Sequence, residues 1–332
     1  MIGEIESGNI TIKILANNAT SITLQTDKKF NGKVIQPQFD SVKTVAEHGL
    51  GMSISIFDND KSHLFLFDTG SINQSIIGNI KALNVKYEDI EKIILSHGHF
   101  DHFGGLTALI PKLNEGSKIY LNSRCFDQYH IIHSTTGVKI PVNELGSNLE
   151  RLVDEGRIKH RKLELLDRNE VYNLANKAGV EIIETSEPTG LYSGIITSGE
   201  IEIFDQEEVS SGFYSEKRPQ IYEEHTFRDE TSLYINIKDK GLIILTGCGH
   251  VGIVNTIKHA QKITGINNVY AIIGGFHKET SSLEAIDAAA GFITRLEPKV
   301  ICGVHCTGFA FNNTIQRHPS HTLGVVGTEF KL

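Results

Sequence analysis

The stretch Lys92–Gly105, KIILSHGHFDHFGG, decides the fold of this chain. It opens with a short apolar segment, Lys92–Ser96, that predicts a strand, and from Gly104 onward the apolar spacing predicts a helix. Between the two, side chains that can bind a metal occupy four of six consecutive positions. Burying four such side chains together would be costly without a metal. The stretch therefore predicts a metal site at a strand-to-helix turn, built from His97, His99, Asp101 and His102.

The spacing of these four residues favours two ions. His97 and His99 are two positions apart where the chain leaves a strand, so their side chains point the same way and can bind one ion. Asp101 and His102 follow once the chain curls toward the helix, so they can face a second ion. We expect two zinc ions here, with manganese or iron as other options. We also expect Asp101 to be catalytic, because it could orient a reacting hydroxide as well as ligate.

Length and charge limit the classes of function. The chain has 332 residues, 39% of them hydrophobic, which is enough to bury a large core. We expect a single domain over residues 1–332, with an irregular insertion at about 122–230. Lys and Arg number 32 against 40 Asp and Glu, giving a net charge of -8. A negative net charge does not favour binding to the phosphate backbone of a nucleic acid. We therefore expect a small-molecule substrate, anionic in character, and no nucleic acid partner.

The lack of an apolar run at residues 1–9 and the small number of cysteines predict a soluble cytoplasmic protein. Residues 1–9 contain no apolar run, and the longest apolar stretches are strand-sized, so we expect no signal peptide and no membrane partner. The four cysteines include no CxxC pair. A disulfide framework and a zinc finger are therefore not expected.

Apolar strand patterns alternate with helical patterns along the chain, which predicts an α/β fold. Four of the strand patterns end in a polar turn that contains glycine. These are Leu64–Gly70, Ile93–Gly105, Ile243–His250 and Ile301–Gly308. Functional sites collect at strand ends in folds of this kind.

Together, the HxHxDH run, LFDTG, GCGH and HCTG resemble the metallo-β-lactamase superfamily, from about Ala46 to the end of the chain. The resemblance implies a four-layer αββα sandwich with a dinuclear metal site at one edge. Within the superfamily, AEHG at Ala46–Gly49, TGCGH at Thr246–His250, GGFH at Gly274–His277 and HCTG at His305–Gly308 are similar to one branch. That branch is labelled by the dihydropterin ribofuranosylaminobenzene phosphate synthase of methanopterin biosynthesis.

The resemblance also assigns roles to individual residues. It implies that Asp68 braces the metal-ligand loop without being a ligand. It implies that His97 and His99 ligate the first metal. Asp101 and His102 match the ligands of the second metal, which His305 completes.

The third motif departs from the usual family pattern, in which an aspartate in a TGD turn bridges the ions. Here Cys248 stands at the bridging position, and a thiolate can ligate zinc. His250 could replace the histidine that usually stands one strand earlier. Two further residues, His225 and Asp229, lie close to where that histidine would be, and each could equally be a polar residue that caps a loop.

Two residues outside the ligand set are expected to contact the substrate. His277 ends the GGFH turn after another apolar strand, which should bring it to the same edge of the sheet. Thr307 follows His305 in the HCTG motif and could line the pocket.

The leading functional hypothesis is a dinuclear zinc hydrolase. It would act on a small ester, lactone or phosphoester through a hydroxide shared by the two ions. The alternative, implied by the branch, is a transferase that joins a dihydropterin-methyl diphosphate to an aminobenzene ribofuranosyl phosphate with release of pyrophosphate. A third possibility is a metal-holding scaffold or sensor in which Cys248 leaves the bridging position weakly filled.

Overall fold

The computed structural model describes residues 2–26, 30, 33–37, 43–59, 61–138 and 140–332. Two β-sheets pack face to face, and helices cover the outer face of each. The predicted four-layer αββα arrangement is therefore confirmed. A third, smaller sheet lies beside the sandwich.

The strands of the described residues are β1 (Ile10–Ala16), β2 (Val34–Ile35), β3 (Gly51–Asp58), β4 (Lys61–Phe67), β5 (Ile90–Ile94), β6 (Lys118–Leu121), β7 (Gln128–Ser134), β8 (Ile158–Lys162), β9 (Glu181–Glu184), β10 (Gly190–Tyr192), β11 (Ile195–Thr197), β12 (Phe213–Arg218), β13 (Ile221–Glu224), β14 (Leu233–Ile237), β15 (Gly241–Thr246), β16 (Val269–Gly274), β17 (Val300–Gly303) and β18 (Glu329–Lys331). The α-helices are α1 (Asn73–Ala82), α2 (Phe100–Phe103), α3 (Leu106–Leu109), α4 (Val142–Leu145), α5 (Leu149–Asp154), α6 (Arg168–Ala178), α7 (Ile253–Thr264), α8 (Leu283–Arg295) and α9 (Gly308–Ile315).

The first sheet has the strand order β2-β18-β1-β3-β4-β5-β6-β9. Its strands β4, β5, β6 and β9 run parallel, and the remaining neighbours pair antiparallel. The outer face packs against α1, α3 and α6 through Ile76, Leu106 and Val171. The helix predicted from Gly104 onward exists as α3 followed by one turn of 3₁₀-helix, Ile110–Lys112.

The second sheet has the order β10-β11-β14-β15-β16-β17, with β15, β16 and β17 parallel. Its inner face meets the first sheet in one apolar core, in which Ile12 and Ile54 lie with Ile243 and Ile273. The outer face is covered by α7, α8 and α9. The strong apolar runs of these strands reflect burial on both faces.

The third sheet is antiparallel, with the order β13-β12-β7-β8, and it comes from the segment 122–230, for which the sequence predicts an irregular insertion. Helices α4 and α5 pack against one of its faces. The segment therefore contains regular strands, which its polar composition conceals.

The parallel strands of the two large sheets bring their carboxyl ends to one edge of the sandwich. The turns after β4, β5, β15, β16 and β17 all meet there, and these turns carry the candidate site residues. None of the described helices is long and apolar enough to cross a membrane.

Candidate metal centre

Sharp turns at strand ends position the site. Asp68 directly follows β4, His277 follows β16 and His305 follows β17. All three adopt left-handed backbone conformations, with φ of 62°, 44° and 51°. Such conformations are uncommon outside glycine and concentrate at functional turns, where the surrounding structure holds them in place.

A buried carboxylate, Asp68, organises the turn after β5. It accepts hydrogen bonds from the Ser96 backbone N–H and hydroxyl, both at 2.7 Å, and from His102 Nδ1 at 2.6 Å. Because the Ser96 hydroxyl donates to Asp68, it accepts from His97 Nδ1 at 2.9 Å. Both imidazoles therefore carry a proton on Nδ1, and Nε2 is the nitrogen left for a metal. The bracing role predicted for Asp68 is the one that these contacts support.

The donor atoms of the site fall into three groups, and within each group they lie within 4.8 Å of one another. One group contains His97, Cys248 and His250, and a second contains Asp101, His102, Cys248 and His305. The third contains Cys248, His277 and Cys306. Cys248 belongs to all three, with its sulfur 3.1 Å from His102 Nε2. The arrangement would let one thiolate be shared by two ions.

His99 is adjacent to the first group. Its Nδ1 lies 3.2 Å from His250 Nε2, and its ring lines the cavity described below. Within the described part of the chain, His97 Nε2, His99 Nε2 and His250 Nδ1 are buried and have no hydrogen-bond partner. Buried ring nitrogens without partners are what a ligand set looks like when its ion is removed, so these residues fit a metal.

The protonation states also suit metal binding. Burial lowers the pKa of His97 and His250 well below the ordinary value and that of His99 to about 3, so all three are neutral imidazoles. Burial raises the pKa of Asp101, but the charge of His102 and the neighbouring His305 and His48 outweigh it and hold that pKa well below the ordinary value. The site thus offers neutral nitrogens and an ionised carboxylate.

His102 and Cys248 would each have to release a proton before binding a metal ion. Burial lowers the pKa of His102, yet the neighbouring Asp68 and Asp101 charges outweigh it and raise that pKa to about 9. Burial and the neighbouring Cys306 raise the pKa of Cys248 well above its ordinary range. Both groups must lose a proton to ligate, so metal binding at this site releases protons.

The two other candidates for the third motif form a separate pair. His225 Nε2 lies 3.1 Å from Asp229 Oδ1, and Asp229 Oδ2 accepts a hydrogen bond of 2.9 Å from the Gly98 backbone N–H. Asp229 thus braces the loop that carries His97 and His99. Among the described residues, the structure brings His250 and Cys248 into a donor group with His97. His225 and Asp229 instead support the loop that carries His97 and His99, through the bond to Gly98.

An amide that sequence reasoning missed, Asn18, holds two histidines at the rim. Its Oδ1 accepts from His305 Nδ1 at 3.0 Å, and its Nδ2 donates to His48 Nδ1 at 3.2 Å. The two rings therefore have opposite tautomers, so His305 presents a bare Nε2 toward Asp101 Oδ2 at 3.2 Å while His48 Nε2 donates to the same oxygen at 3.4 Å. A metal ion or a proton between these two acceptors would satisfy both of them. The available sequence signal was the Asn17-Asn18 pair directly after an apolar strand.

The two predicted substrate contacts are placed differently. His277 lines the cavity, and its ring centroid lies 4.1 Å from that of His250. Thr307 is fully buried, and its hydroxyl accepts from the Phe276 N–H at 3.0 Å and donates to the Gly274 carbonyl. These bonds hold the turns after β16 and β17 together.

A cavity of about 210 Å³ opens over the metal-binding residues. Its inner side is formed by His99, Asp101, Cys248 and His250, and its outer wall comes from the third sheet. The site therefore consists of a polar, metal-competent floor under a small, partly apolar chamber.

Comparison with known proteins agrees with this geometry. Residues 51–130 match the family model described as the metallo-beta-lactamase superfamily. The 7,8-dihydropterin-6-methyl-4-(β-D-ribofuranosyl)-aminobenzene-5'-phosphate synthase of Methanocaldococcus jannaschii is 34% identical over 277 residues, covering 81% of this chain and 83% of the relative.

Two solved structures share the fold. Tm1679, titled a metal-dependent hydrolase of the β-lactamase superfamily, has a TM-score of 0.68 at 20% identity, covering 97% of this chain and 99% of that one. Zn²⁺-bound PqqB from Methylobacterium extorquens has a TM-score of 0.50 at 13% identity, covering 97% and 100%. With the relative's identity over most of both chains, these matches show that the chain belongs to the metallo-β-lactamase superfamily, in the branch that contains the M. jannaschii synthase.

Proposed function

We propose that this protein is a transferase that joins a dihydropterin-methyl group, supplied as its diphosphate, to a β-ribofuranosyl-aminobenzene 5'-phosphate. The observation that carries the proposal is the 34% identity to the M. jannaschii synthase over 81% of this chain. The hydrolase hypothesis is supported only by the general ability of such metal sites to activate water. The hydrolase among the solved structures shares the fold at 20% identity, which does not support a shared reaction.

The chemistry of the proposed reaction balances without an oxidant or reductant. The bond between the pterin methylene carbon and the diphosphate oxygen breaks, and its electron pair leaves with pyrophosphate. The methylene carbon bonds to an aryl carbon or the amine of the acceptor, which loses a proton. Divalent ions held by the donor groups of His97 and of Asp101 would neutralise charge on the leaving diphosphate.

The cavity wall supports transfer over hydrolysis. Phe213 stacks on His99 with ring centroids 5.3 Å apart, and Ile131 and Leu163 line the same chamber. An apolar cover over the reacting centre displaces water and offers a surface for flat aromatic rings. A transferase needs both properties, because water competes with the acceptor for the methylene carbon.

The negative charge of Asp101 would stabilise the bound cations in this reaction. The Asp101 carboxylate stays ionised because its pKa is held well below the ordinary value, against the effect of burial, by His102, His305 and His48. Such a group stabilises cations better than it accepts a proton. We propose His97, His99, Asp101, His102, Cys248, His250 and His305 as the metal ligands, Asp101 as catalytic in this electrostatic sense, and His277 as a substrate contact.

The test is pyrophosphate release by the metal-reconstituted protein, measured with the dihydropterin-methyl diphosphate alone and with the acceptor added. The proposal predicts release only when the acceptor is present, with one coupled product formed per pyrophosphate. Release at the same rate without acceptor would make the protein a hydrolase of the diphosphate. No release under either condition would overturn both readings.

A further inference from the structure

The third sheet presents one row of side chains to the cavity. Phe213 on β12 pairs directly with Ile131 on β7, and Ile131 pairs directly with Arg161 on β8. Residues directly opposite each other across antiparallel strands project from the same face of a sheet. All three line the cavity over the metal centre. The row therefore runs from the centre of the site toward its edge and ends in a cation.

The other face of this sheet is occupied, which fixes the orientation of the row. Ile132 and Tyr214, each adjacent in sequence to a member of the row, pack with Leu145 and Leu149 of helices α4 and α5. Because side chains alternate between faces along a strand, the neighbours of these buried residues must face the cavity. Arg161 is therefore held over the site by the fold.

Arg161 has no acidic partner among the described residues, since no ion pair joins it to any of them. Its guanidinium lies 5.7 Å from the Phe100 ring centroid, a cation–π contact that leaves its N–H groups free for a ligand. It is also the only arginine or lysine among the described residues that line the cavity.

The distance from the metal centre separates Arg161 from the reacting groups. Phe213 stacks on His99, and the backbone of Arg161 is two strands farther along the row, or roughly 10 Å from that of Phe213 at ordinary strand spacing. A guanidinium carried by this outer strand would meet a group of the substrate that takes no part in the bond exchange.

We propose that Arg161 binds the 5'-phosphate of the acceptor and makes the enzyme specific for the phosphorylated aryl riboside. The inference rests on the proposed function, in which the diphosphate of the donor lies at the metal centre and the acceptor phosphate lies away from it. The aromatic ring of the acceptor then packs along Phe213 and Ile131. Arginine suits this role because its planar fork binds a phosphate through two hydrogen bonds.

The experiment compares two variants against two acceptors. Arg161→Gln removes the cation, and Lys162→Gln is the matched control, because Lys162 is the next residue on β8, on the opposite face, and carries the same charge. Each protein is assayed for KM with the 5'-phosphorylated acceptor and with its dephosphorylated form. A charge-assisted phosphate contact predicts a rise in KM of about tenfold or more for Arg161→Gln with the phosphorylated acceptor only. Arg161→Lys should lie between wild type and Arg161→Gln.

A binding measurement separates this inference from the proposed function. Calorimetry with the acceptor and its dephosphorylated form, without the donor, needs no turnover. A phosphate-dependent loss of affinity confined to Arg161→Gln supports the inference even if no pyrophosphate is released. Equal effects on both acceptors, an equal effect of Lys162→Gln, or no binding of the phosphorylated acceptor to the wild-type protein would overturn it, whether or not the transfer reaction occurs.

Discussion

Replacing Asp68 by asparagine tests whether the carboxylate bonded to His102 Nδ1 sets the tautomer with which His102 binds a metal. Asp68 accepts three hydrogen bonds, at 2.6 Å from His102 and at 2.7 Å from each of two Ser96 donors. Asparagine has nearly the same shape, so its oxygen can keep the bond from the Ser96 N–H. Its amide group would then face His102 Nδ1 and donate to it. His102 would switch to the tautomer with the proton on Nε2, the atom that lies 3.1 Å from Cys248 Sγ.

The expected loss of metal affinity follows from the loss of one charge-assisted hydrogen bond and of one ligand nitrogen in its unprotonated form. A hydrogen bond to a charged group contributes roughly 1.5–3 kcal/mol, so affinity for the ion beside Asp101 should weaken by about 10- to 100-fold. The ion beside His97 should lose less affinity than the ion beside Asp101, because the Ser96 hydroxyl can still accept from His97 Nδ1 after it loses its own acceptor on residue 68.

The assay is a zinc titration against a chelating dye, with circular dichroism to confirm that each variant is folded. Ser96→Ala is the control that keeps the carboxylate and its bond to His102, and it should weaken binding less than Asp68→Asn. If Asp68→Asn bound both ions as tightly as the wild-type protein, the tautomer argument would be refuted.

Three further predictions follow from other contacts. Asn18→Leu removes the amide that orients His305 and His48, so affinity for the ion beside Asp101 should fall by about tenfold in the same titration while the His97 group is unaffected. A methyl group at Gly247 would overlap the Ser96 side chain, so Gly247→Ala should destabilise the protein by about 1–3 kcal/mol in denaturant unfolding, whereas Gly78→Ala, with open space around its Cβ position, should not destabilise it. Burial lowers the pKa of His130 and His160 below 6.5, so the unfolded chain takes up more protons than the folded protein as the pH falls through that value. The thermal midpoint should therefore drop between about pH 7.5 and pH 5.5, and His160→Gln should drop less; an equal drop in both proteins would contradict this assignment.

Much of the sandwich could be predicted from the sequence because its strands are buried on both faces. The predicted strand Lys92–Ser96 overlaps β5, and the four strand patterns that end in a polar turn fall on β4, β5, β15 and β17. The positions of the site residues at strand ends followed from the same patterns.

The third sheet could not be predicted in this way. Strand β8 reads IKHRK and has only Ile158 fully buried, because its faces meet two short helices and the edge of the cavity. A strand of that composition looks like exposed loop until its partners are known. Tertiary context decides such segments more than local preference does.

The finer arrangement of the site depended on contacts between residues far apart in the chain. The bond between Asn18 and His305 joins residues 287 positions apart, and that between His99 and His250 spans 151. From the sequence alone, His250, Cys248, His225 and Asp229 were all candidates for the third-motif ligands. Only the folded chain brings His250 and Cys248 into one group with His97.

The proposed sharing of Cys248 between two metal ions is tested most directly by the metal content of the protein. The wild-type protein and Cys248→Ala would be reconstituted with cobalt(II), and metal bound per chain would be measured with the thiolate-to-cobalt absorption. We predict two ions per wild-type chain with a strong thiolate band, and loss of that band with weakened binding at both sites in the variant. Two tightly bound ions in Cys248→Ala, or no thiolate band in the wild-type protein, would contradict a shared Cys248 ligand.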